Sequence, residues 1–328
     1  MRRRDFIIVI GSVAAWPLMA RAQQPERIRR VGVLTGLAQD DPEAQARIKA
    51  FQQRLRELGW TDGHNVQIDY RWASGDVDRT RAYAAELVAL APDVILVNTP
   101  PGLAALQKAT RTIPIVFAQV IDASESDAAS VARPGGNVTG FYSYFDFTIV
   151  GKWLEILKEI APQVRRVAIM QNVDHPVWAG YLRAINEIAP SFGVGIVPAG
   201  LHGPTDIKLG IDELAREPNG ALIVLPDSMT ATYRKEIVDL AAAHRIPAVY
   251  PLRYFVASGG LVSYGADVVA SFRQAASYVD RILHGANPAT LPVQQSTKLE
   301  LRINLKAAHA LGLPIPSTLV DRADEVIE

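Results

Sequence analysis

Short apolar runs rich in β-branched residues alternate with amphipathic stretches along most of the chain. Nearly continuous apolar runs are typical of parallel strands that are buried on both faces. They predict strands at residues 29–34, 66–70, 93–98, 113–118, 138–144, 165–170, 194–199, 220–226, 247–251 and 259–265. Apolar residues at helical spacing predict helices at residues 43–58, 80–90, 150–160, 177–188 and 231–244.

The alternation of strands and helices indicates an α/β fold of the doubly wound kind. Ten predicted strands exceed what one compact parallel sheet usually holds. We therefore predict two lobes that face each other across a cleft, with residues 27–140 and 266–328 in lobe 1 and residues 141–265 in lobe 2. Residues 291–304 are predicted to form a two-stranded excursion, followed by a helix.

The first 22 residues have the three parts of a secretory signal peptide. Arg2–Arg4 form a basic region, the apolar run Phe6–Leu18 follows, and Ala20–Ala22 is a small-residue cleavage site. The run is shorter than the roughly 20 residues that a membrane-spanning helix needs, which disfavours an N-terminal anchor. Arg3-Arg4 also resembles the twin-arginine signal. We expect residues 1–22 to be removed and the mature chain to be periplasmic.

Composition narrows the chemistry of the mature chain. The 328 residues include no cysteine, which excludes disulfides, thiolate metal sites and thiol nucleophiles. Removing residues 1–22 takes away four arginines and one aspartate, so 34 basic and 34 acidic residues become 30 and 33, a net charge of about −3. That balance gives no electrostatic footprint for nucleic acid. The six histidines lack metal-ligand spacing, so we expect neither a metal site nor a cofactor.

The segment PGGNVTGFYSY at residues 134–144 has glycines five residues apart, which is the spacing of a phosphate-binding loop. Two observations exclude that function. Gly140 is followed by Phe141-Tyr142 where lysine and a hydroxyl residue are required, and the turn precedes a strand instead of following one. We interpret the segment as a turn and then the strand that leaves lobe 1 for lobe 2. Gly140 and Gly265 are predicted hinge residues, because glycine tolerates changes of backbone conformation.

Polar and aromatic residues follow the carboxyl ends of the predicted strands, where open α/β sheets bind their ligands. Singly, each is also explained as a cap, turn or core residue. Together they predict a cleft with helix N-termini on both sides, which suits a carboxylate. The candidate ligand-binding residues are Thr35, Asn98, Thr99, Gln119, Phe141, Tyr142, Asn172, Asp227, Ser228, Tyr250 and Tyr264.

Several phrases carry a resemblance to a known family. They are IPIVFAQVID (113–122), RPGGNVTGF (133–141), LPD (225–227), GGLVSYG (259–265), YVDRILHGANPATLPVQQ (278–295) and KLELRINLKAAHALGLPIP (298–316). In these phrases the chain resembles the periplasmic substrate-binding component of ABC transporters, in the family that includes tryptophan- and tyrosine-binding members. The similarity covers essentially the whole chain.

The resemblance implies a type I periplasmic-binding fold, in which two Rossmann-like lobes with parallel sheets are joined by hinge strands and close on a small-molecule ligand. It implies no catalysis and an ABC permease of the inner membrane as partner, and we expect a monomer. By analogy with aromatic amino-acid binders, it implies that Thr99 and nearby backbone N–H groups bind the ligand carboxylate and that Asp227 binds the ammonium. The loops at 120–123 and 172–176 depart from the family pattern, so non-amino aromatic or organic acids remain alternative ligands.

Two other functions compete with a transport receptor. A sensor subunit that reports the solute to a membrane signalling receptor uses the same fold, and genomic neighbours distinguish the two. An exported α/β enzyme needs a nucleophile–base pair or a metal cluster, and the sequence has no Gly-x-Ser-x-Gly elbow. We predict a solute receptor and not an enzyme.

Overall fold

The computed structural model describes residues 27–120, 136–143, 147–174, 178–296 and 298–328. The expected signal peptide at residues 1–22 lies outside these ranges. From the first described residue to the first crossing between the lobes, the elements are β1 (Arg29–Thr35), α1 (Pro42–Glu57), β2 (Val66–Trp72), α2 (Val77–Ala89), β3 (Val94–Val97), α3 (Pro100–Ala109), β4 (Ile115–Val120) and β5 (Val138–Ser143).

The second half of the chain continues the alternation of helices and strands. Its elements up to the second crossing are α4 (Ile149–Ile160), β6 (Arg166–Asn172), α5 (Trp178–Ile188), β7 (Gly195–Leu201), α6 (Thr205–Ala215), β8 (Gly220–Val224), α7 (Ser228–Thr232), α8 (Arg234–Ala243), β9 (Ala248–Tyr250), α9 (Arg253–Ala257) and β10 (Val262–Ala266). The remaining elements are α10 (Val268–Leu283), β11 (Gln294–Ser296), β12 (Leu299–Asn304), α11 (Leu305–Leu311), α12 (Ser317–Val320) and β13 (Glu325–Ile327).

Two sheets organise the molecule and confirm the predicted α/β class with two lobes. The lobe 1 sheet has the order β11-β5-β4-β3-β1-β2, and the lobe 2 sheet has the order β13-β12-β10-β9-β8-β6-β7. Pairing is parallel except between β10 and β12. The central strands are buried on both faces, as the continuous apolar runs predict; all four residues of β3 are buried. In the described ranges, no helix is both long and apolar enough to cross a membrane.

The chain crosses between the lobes after β5, after β10 and between β11 and β12. The expected boundaries differ from this path in two places. Phe141 and Tyr142 stay in the lobe 1 sheet, because β5 pairs with β4 on one side and β11 on the other. Residues 299–327 join lobe 2 instead of lobe 1, because β12 pairs with β10 and β13 pairs with β12. The predicted two-stranded excursion is therefore two strands in different sheets.

The second and third crossings are bonded to each other. Asp267 caps α10 by accepting the backbone N–H of Ala270, and its own N–H donates to the carbonyl of Lys298 at 3.0 Å. The ammonium of Lys298 in turn lies 2.7 Å from the carboxylate of Asp267. Two chain segments that link the lobes thus act as one joint.

Gly140 lies inside the lobe 1 sheet, opposite Phe117 of β4. A Cβ atom built on Gly140 would lie 2.1 Å from the carbonyl oxygen of Phe117, and the φ angle of Gly140 is +152°. The requirement for glycine is therefore explained by a close approach of two backbones. The predicted hinge role of Gly140 stays a prediction, and the chain leaves lobe 1 only after Ser143.

We expect Gly140→Ala to lower the free energy of unfolding by at least ~2 kcal/mol, because the added Cβ would push β4 and β5 apart. Urea denaturation of the mature protein measures this. The matched control is Gly195→Ala in β7, where the nearest atom to an added Cβ lies 3.9 Å away. Equal stabilities of the two variants would contradict the steric explanation.

Candidate ligand-binding cleft

Two connected cavities lie between the lobes, at the carboxyl ends of both sheets. The inner chamber has a volume of about 70 Å³. The outer cleft has a volume of about 820 Å³. Both are lined by Gly36, Thr99 and Pro100 of lobe 1 and by Asp227 and Ser228 of lobe 2. A ligand that fills both therefore contacts both lobes.

Thr35 and Asn98 follow β1 and β3 and shape the lobe 1 side of the inner chamber. Both are buried. The side-chain oxygen of Asn98 accepts the backbone N–H of Gly36 at 3.1 Å, which holds together the two loops that follow these strands. Asn98 lines the chamber, whereas Thr35 does not line it and its hydroxyl oxygen accepts the backbone N–H of Leu37 at 3.5 Å.

The N-terminus of α3 does not offer the backbone donors that the resemblance implies for a carboxylate. Thr99 caps this helix by accepting the N–H of Gly102 at 3.2 Å. The next two residues are Pro100 and Pro101, which have no N–H. The N–H of Leu103 is bonded to the carbonyl of Thr99. Thr99 lines both cavities, and its contact with a solute carboxylate stays a prediction to which the N–H groups of the first turn of α3 do not contribute.

Gln119 combines a strained backbone with an unpaired polar atom. Its φ angle is +62°, and the register of the β4–β5 ladder shifts between Ala118 and Val120. A left-handed conformation is uncommon for a residue other than glycine and persists when its surroundings enforce it. The side-chain oxygen of Gln119 is buried and has no hydrogen-bond partner among the residues that the structure describes, and Gln119 lines the inner chamber. Within the described ranges, Gln119 thus offers a buried acceptor to this chamber.

Asp227 is the acidic residue of the inner chamber. It caps α7 by accepting the N–H of Thr230 at 2.9 Å, and it also accepts the N–H of Asn172 at 3.1 Å. Burial raises the pKa of its carboxyl above the ordinary value, against the opposite effect of these N–H donors. Asp227 is therefore both the cap of α7 and a lining residue of the cleft.

Asn172 and Ser228 flank Asp227 on the lobe 2 side. Asn172 lines the outer cleft, and its side-chain oxygen accepts the N–H of Asp174. Ser228 is the first residue of α7 and lines both cavities. The fold therefore brings predicted residues of both lobes together around Asp227.

The four aromatic candidates do not line either cavity among the described residues. Phe141 is buried against Tyr278, with ring centroids 4.6 Å apart. Tyr142 packs against Phe117. Tyr250 is fully buried and stacks on Phe255, and the backbone carbonyl of Tyr264 accepts the indole N–H of Trp153. These four residues therefore belong to the core and the framework of the lobes, which was the alternative interpretation of each.

Arg47 and Tyr254 are the charged and the aromatic residues of the inner chamber that were not predicted from the sequence. Arg47 lies on the buried face of α1 and is 4% exposed. Glu43 and Arg47 are four residues apart and interrupt the otherwise apolar stripe that includes Ile48 and Phe51. A charged pair on the core-facing side of an amphipathic helix was the available signal.

Ion pairs join the lobes beside the inner chamber. Asp41, the cap of α1, pairs with Arg234 of α8 at 2.7 Å, and Glu43 pairs with Arg253 of α9 at 3.1 Å. The ring of Tyr254 in lobe 2 lies beneath the guanidinium groups of Arg47 and Arg234, at 5.6 and 5.5 Å from its centroid. These contacts require the lobes to be closed.

Metal-binding geometry is not found in the part of the chain that the structure describes, where no three histidine, aspartate or glutamate side chains are grouped to hold an ion.

A family model for ABC transporter substrate-binding proteins matches residues 31–327. The match covers both lobes and all three crossings. The chain belongs to this family. Its members are binding proteins, not enzymes, and the family resemblance and the type I periplasmic-binding fold are confirmed.

Individual relatives match most of the length of this substrate-binding protein. A tyrosine-binding protein of Clostridioides difficile (strain R20291) is 25% identical over 84% of this chain and 79% of its own length. A conserved domain protein of Vibrio cholerae superposes with a TM-score of 0.82 and 27% identity, over 92% of this chain and 100% of the other. A Streptococcus pneumoniae ABC domain in complex with L-tryptophan gives a TM-score of 0.81 and 23% identity, over 91% and 99% of the two chains.

We expect Arg234→Met to favour the open form, because it removes an ion pair that exists only when the lobes are closed. Apparent ligand affinity should fall about tenfold, since truncating one partner of a largely buried pair leaves the charge of Asp41 without its ionic partner on closure. Titration calorimetry measures the affinity, and small-angle X-ray scattering measures the radius of gyration.

The control for this prediction is Lys235→Met, which alters an exposed neighbour on the same helix that pairs within lobe 2 with Asp239. An unchanged affinity and radius of gyration in Arg234→Met would contradict a closing role for the ion pair.

Proposed function

We propose that this substrate-binding protein is the periplasmic receptor of an ABC importer and that its solute is an amino acid with a large apolar side chain. Family membership, the signal-peptide pattern of residues 1–22 and the interlobe cavities support an exported receptor. Closure presents both lobes to the permease, and the joined crossings at Asp267 and Lys298 are the proposed hinge, with Gly265 beside them.

The observation that carries the solute class is the pair of acceptors in the inner chamber. The carboxylate of Asp227 and the side-chain oxygen of Gln119, which has no partner in the described part of the chain, line it from opposite lobes. An ammonium group supplies three donors and one positive charge, so it matches both acceptors. A neutral hydroxyl would leave the charge of Asp227 unbalanced in a buried site.

The two cavities differ in size and lining, and each suits a different part of the solute. A chamber of about 70 Å³ holds a polar head but no bulky side chain. The adjoining outer cleft is lined largely by apolar groups, including Pro100, Pro101 and Met229, and carries the acidic residues Asp76 and Asp174. An apolar side chain fits this cleft, and a second carboxylate is disfavoured. The tyrosine- and tryptophan-binding relatives support the same class.

A thermal-shift screen of amino acids and polyols tests the proposed function. We expect tyrosine, tryptophan, phenylalanine or leucine to raise the melting temperature, with aspartate and glutamate much weaker. A ligand at 100 times its dissociation constant adds about 2.7 kcal/mol to the free energy of unfolding. Stabilisation by myo-inositol or other polyols, with none by amino acids, would show that the proposed solute class is wrong.

The affinity for an amino acid should fall in acid at a higher pH than an ordinary aspartate predicts. Below the raised pKa of Asp227 the carboxyl is neutral and no longer attracts the ammonium. Calorimetric titrations between about pH 4 and pH 8 measure this dependence. In Asp227→Asn, which keeps a capping side chain, we expect weaker binding without this acid dependence. The same acid dependence in the variant would exclude Asp227 as its source.

A further inference from the structure

Arg47 is a buried cation whose hydrogen-bonding capacity is only partly used. Its Nε donates to Glu43 at 3.0 Å, and its guanidinium lies over the ring of Tyr254. Among the hydrogen bonds of the described residues, none comes from its two terminal nitrogens. An arginine carries five N–H donors in a planar fork, so four remain for another partner in the inner chamber that Arg47 lines.

The carboxylate next to Arg47 does not neutralise it alone. Glu43 is shared, because its second oxygen accepts from Arg253 of lobe 2 at 3.1 Å. Around Tyr254, the three guanidinium groups of Arg47, Arg234 and Arg253 face two carboxylates, those of Asp41 and Glu43. Asp227 also acts electrostatically on Tyr254, is held by backbone donors, and brings the number of carboxylates to three. Three guanidinium groups thus face three carboxylates, and a zwitterionic head, which has no net charge, keeps that balance.

We propose that Arg47 binds the carboxylate of the solute, a role that no backbone amide of the α3 N-terminus fills. This inference rests on the proposed function and deepens it. Arg47 and Asp227 line the same small chamber, one cationic and one acidic, so a zwitterionic head matches the two groups with its opposite charges.

The same contacts give Glu43 a positioning role that depends on closure. Glu43 holds Nε of Arg47, which leaves the terminal nitrogens for the solute. Arg253 and Tyr254 reach Glu43 and Arg47 from lobe 2 only when the lobes meet. The solute carboxylate therefore binds best to the closed form, which is the differential affinity that a ligand needs to shift the equilibrium towards it.

The experiment compares three related probes on four proteins. The probes are L-tryptophan, tryptamine, which lacks the carboxylate, and indole-3-propionate, which lacks the ammonium. The proteins are the wild type, Arg47→Met, Arg47→Lys and the control Arg56→Met, which alters an exposed arginine on the same helix. Calorimetry measures each affinity, and thermal unfolding without ligand shows that each variant is folded.

We expect Arg47→Met to weaken tryptophan and indole-3-propionate binding roughly 10- to 100-fold, the value of a charge-assisted hydrogen bond, and to leave tryptamine unchanged. The affinity of Arg47→Lys for tryptophan and indole-3-propionate should lie between those of the wild type and Arg47→Met, because lysine keeps the charge without the planar fork. It also tests the proposal if the methionine variant does not fold. Arg56→Met should match the wild type.

The outcomes separate this proposal from the proposed function. Equal losses for tryptophan and tryptamine, or tryptamine binding as tightly as tryptophan in the wild type, would overturn the role of Arg47 and leave an ammonium-binding receptor. Tight binding of indole-3-propionate but not tryptophan, weakened in Arg47→Met, would overturn the amino-acid proposal and support Arg47. Binding of neither carboxylate by the wild type, together with no stabilisation by tyrosine, phenylalanine or leucine in the thermal-shift screen, would overturn both.

Discussion

Charged side chains that are buried between two lobes must find partners there, because removing a charge from water is costly unless an opposite charge or hydrogen bonds replace the solvent. In this protein the constraint acts on Asp41, Glu43 and Arg47 of lobe 1 and on Arg234 and Arg253 of lobe 2. The pairs Asp41–Arg234 and Glu43–Arg253 form only in the closed arrangement, whereas Glu43 and Arg47 pair within α1. Opening returns these groups to water, so the balance between the two forms depends on electrostatics as well as on the solute.

The same constraint links the ion pairs to the binding site. Arg47 belongs both to the interlobe cluster and to the lining of the inner chamber, and Asp227 places a carboxylate in that chamber from the other lobe. The framework around them is apolar and closely packed, with continuous buried strands in both sheets. Because the framework on each side of the joint is rigid, binding of a small polar head between the lobes determines how the whole lobes are arranged.

Much of the fold could be predicted from the sequence, because strand and helix periodicities are local properties. The joint between α2 and β3 is an example: α2 ends at Ala89, and Pro92, a residue type that cannot continue a helix, precedes β3. The third crossing could not be predicted, because β11 and β12 are close in sequence and only tertiary pairing assigns them to different sheets. The polar residues after the strands were predictable because parallel strands bring their carboxyl ends to one edge.

The rest of the site depends on contacts between the lobes. Arg47 occupies a helix position that local pattern explains as core-facing, and its partner Tyr254 comes from more than 200 residues later. Tyr250 was predicted to line the cleft, but its side chain points into the core, where it stacks on Phe255. The distinction between the neighbouring aromatic residues Tyr250 and Tyr254 arises from tertiary packing, which the sequence pattern does not contain.

A crystal structure of the mature protein with a bound amino acid tests the central claim most directly. The account predicts the solute between closed lobes, with its carboxylate within hydrogen-bonding distance of the terminal nitrogens of Arg47. Its ammonium should lie within the same reach of Asp227, and its side chain should occupy the outer cleft. A solute bound to one lobe alone, or with its carboxylate away from Arg47, would contradict the account.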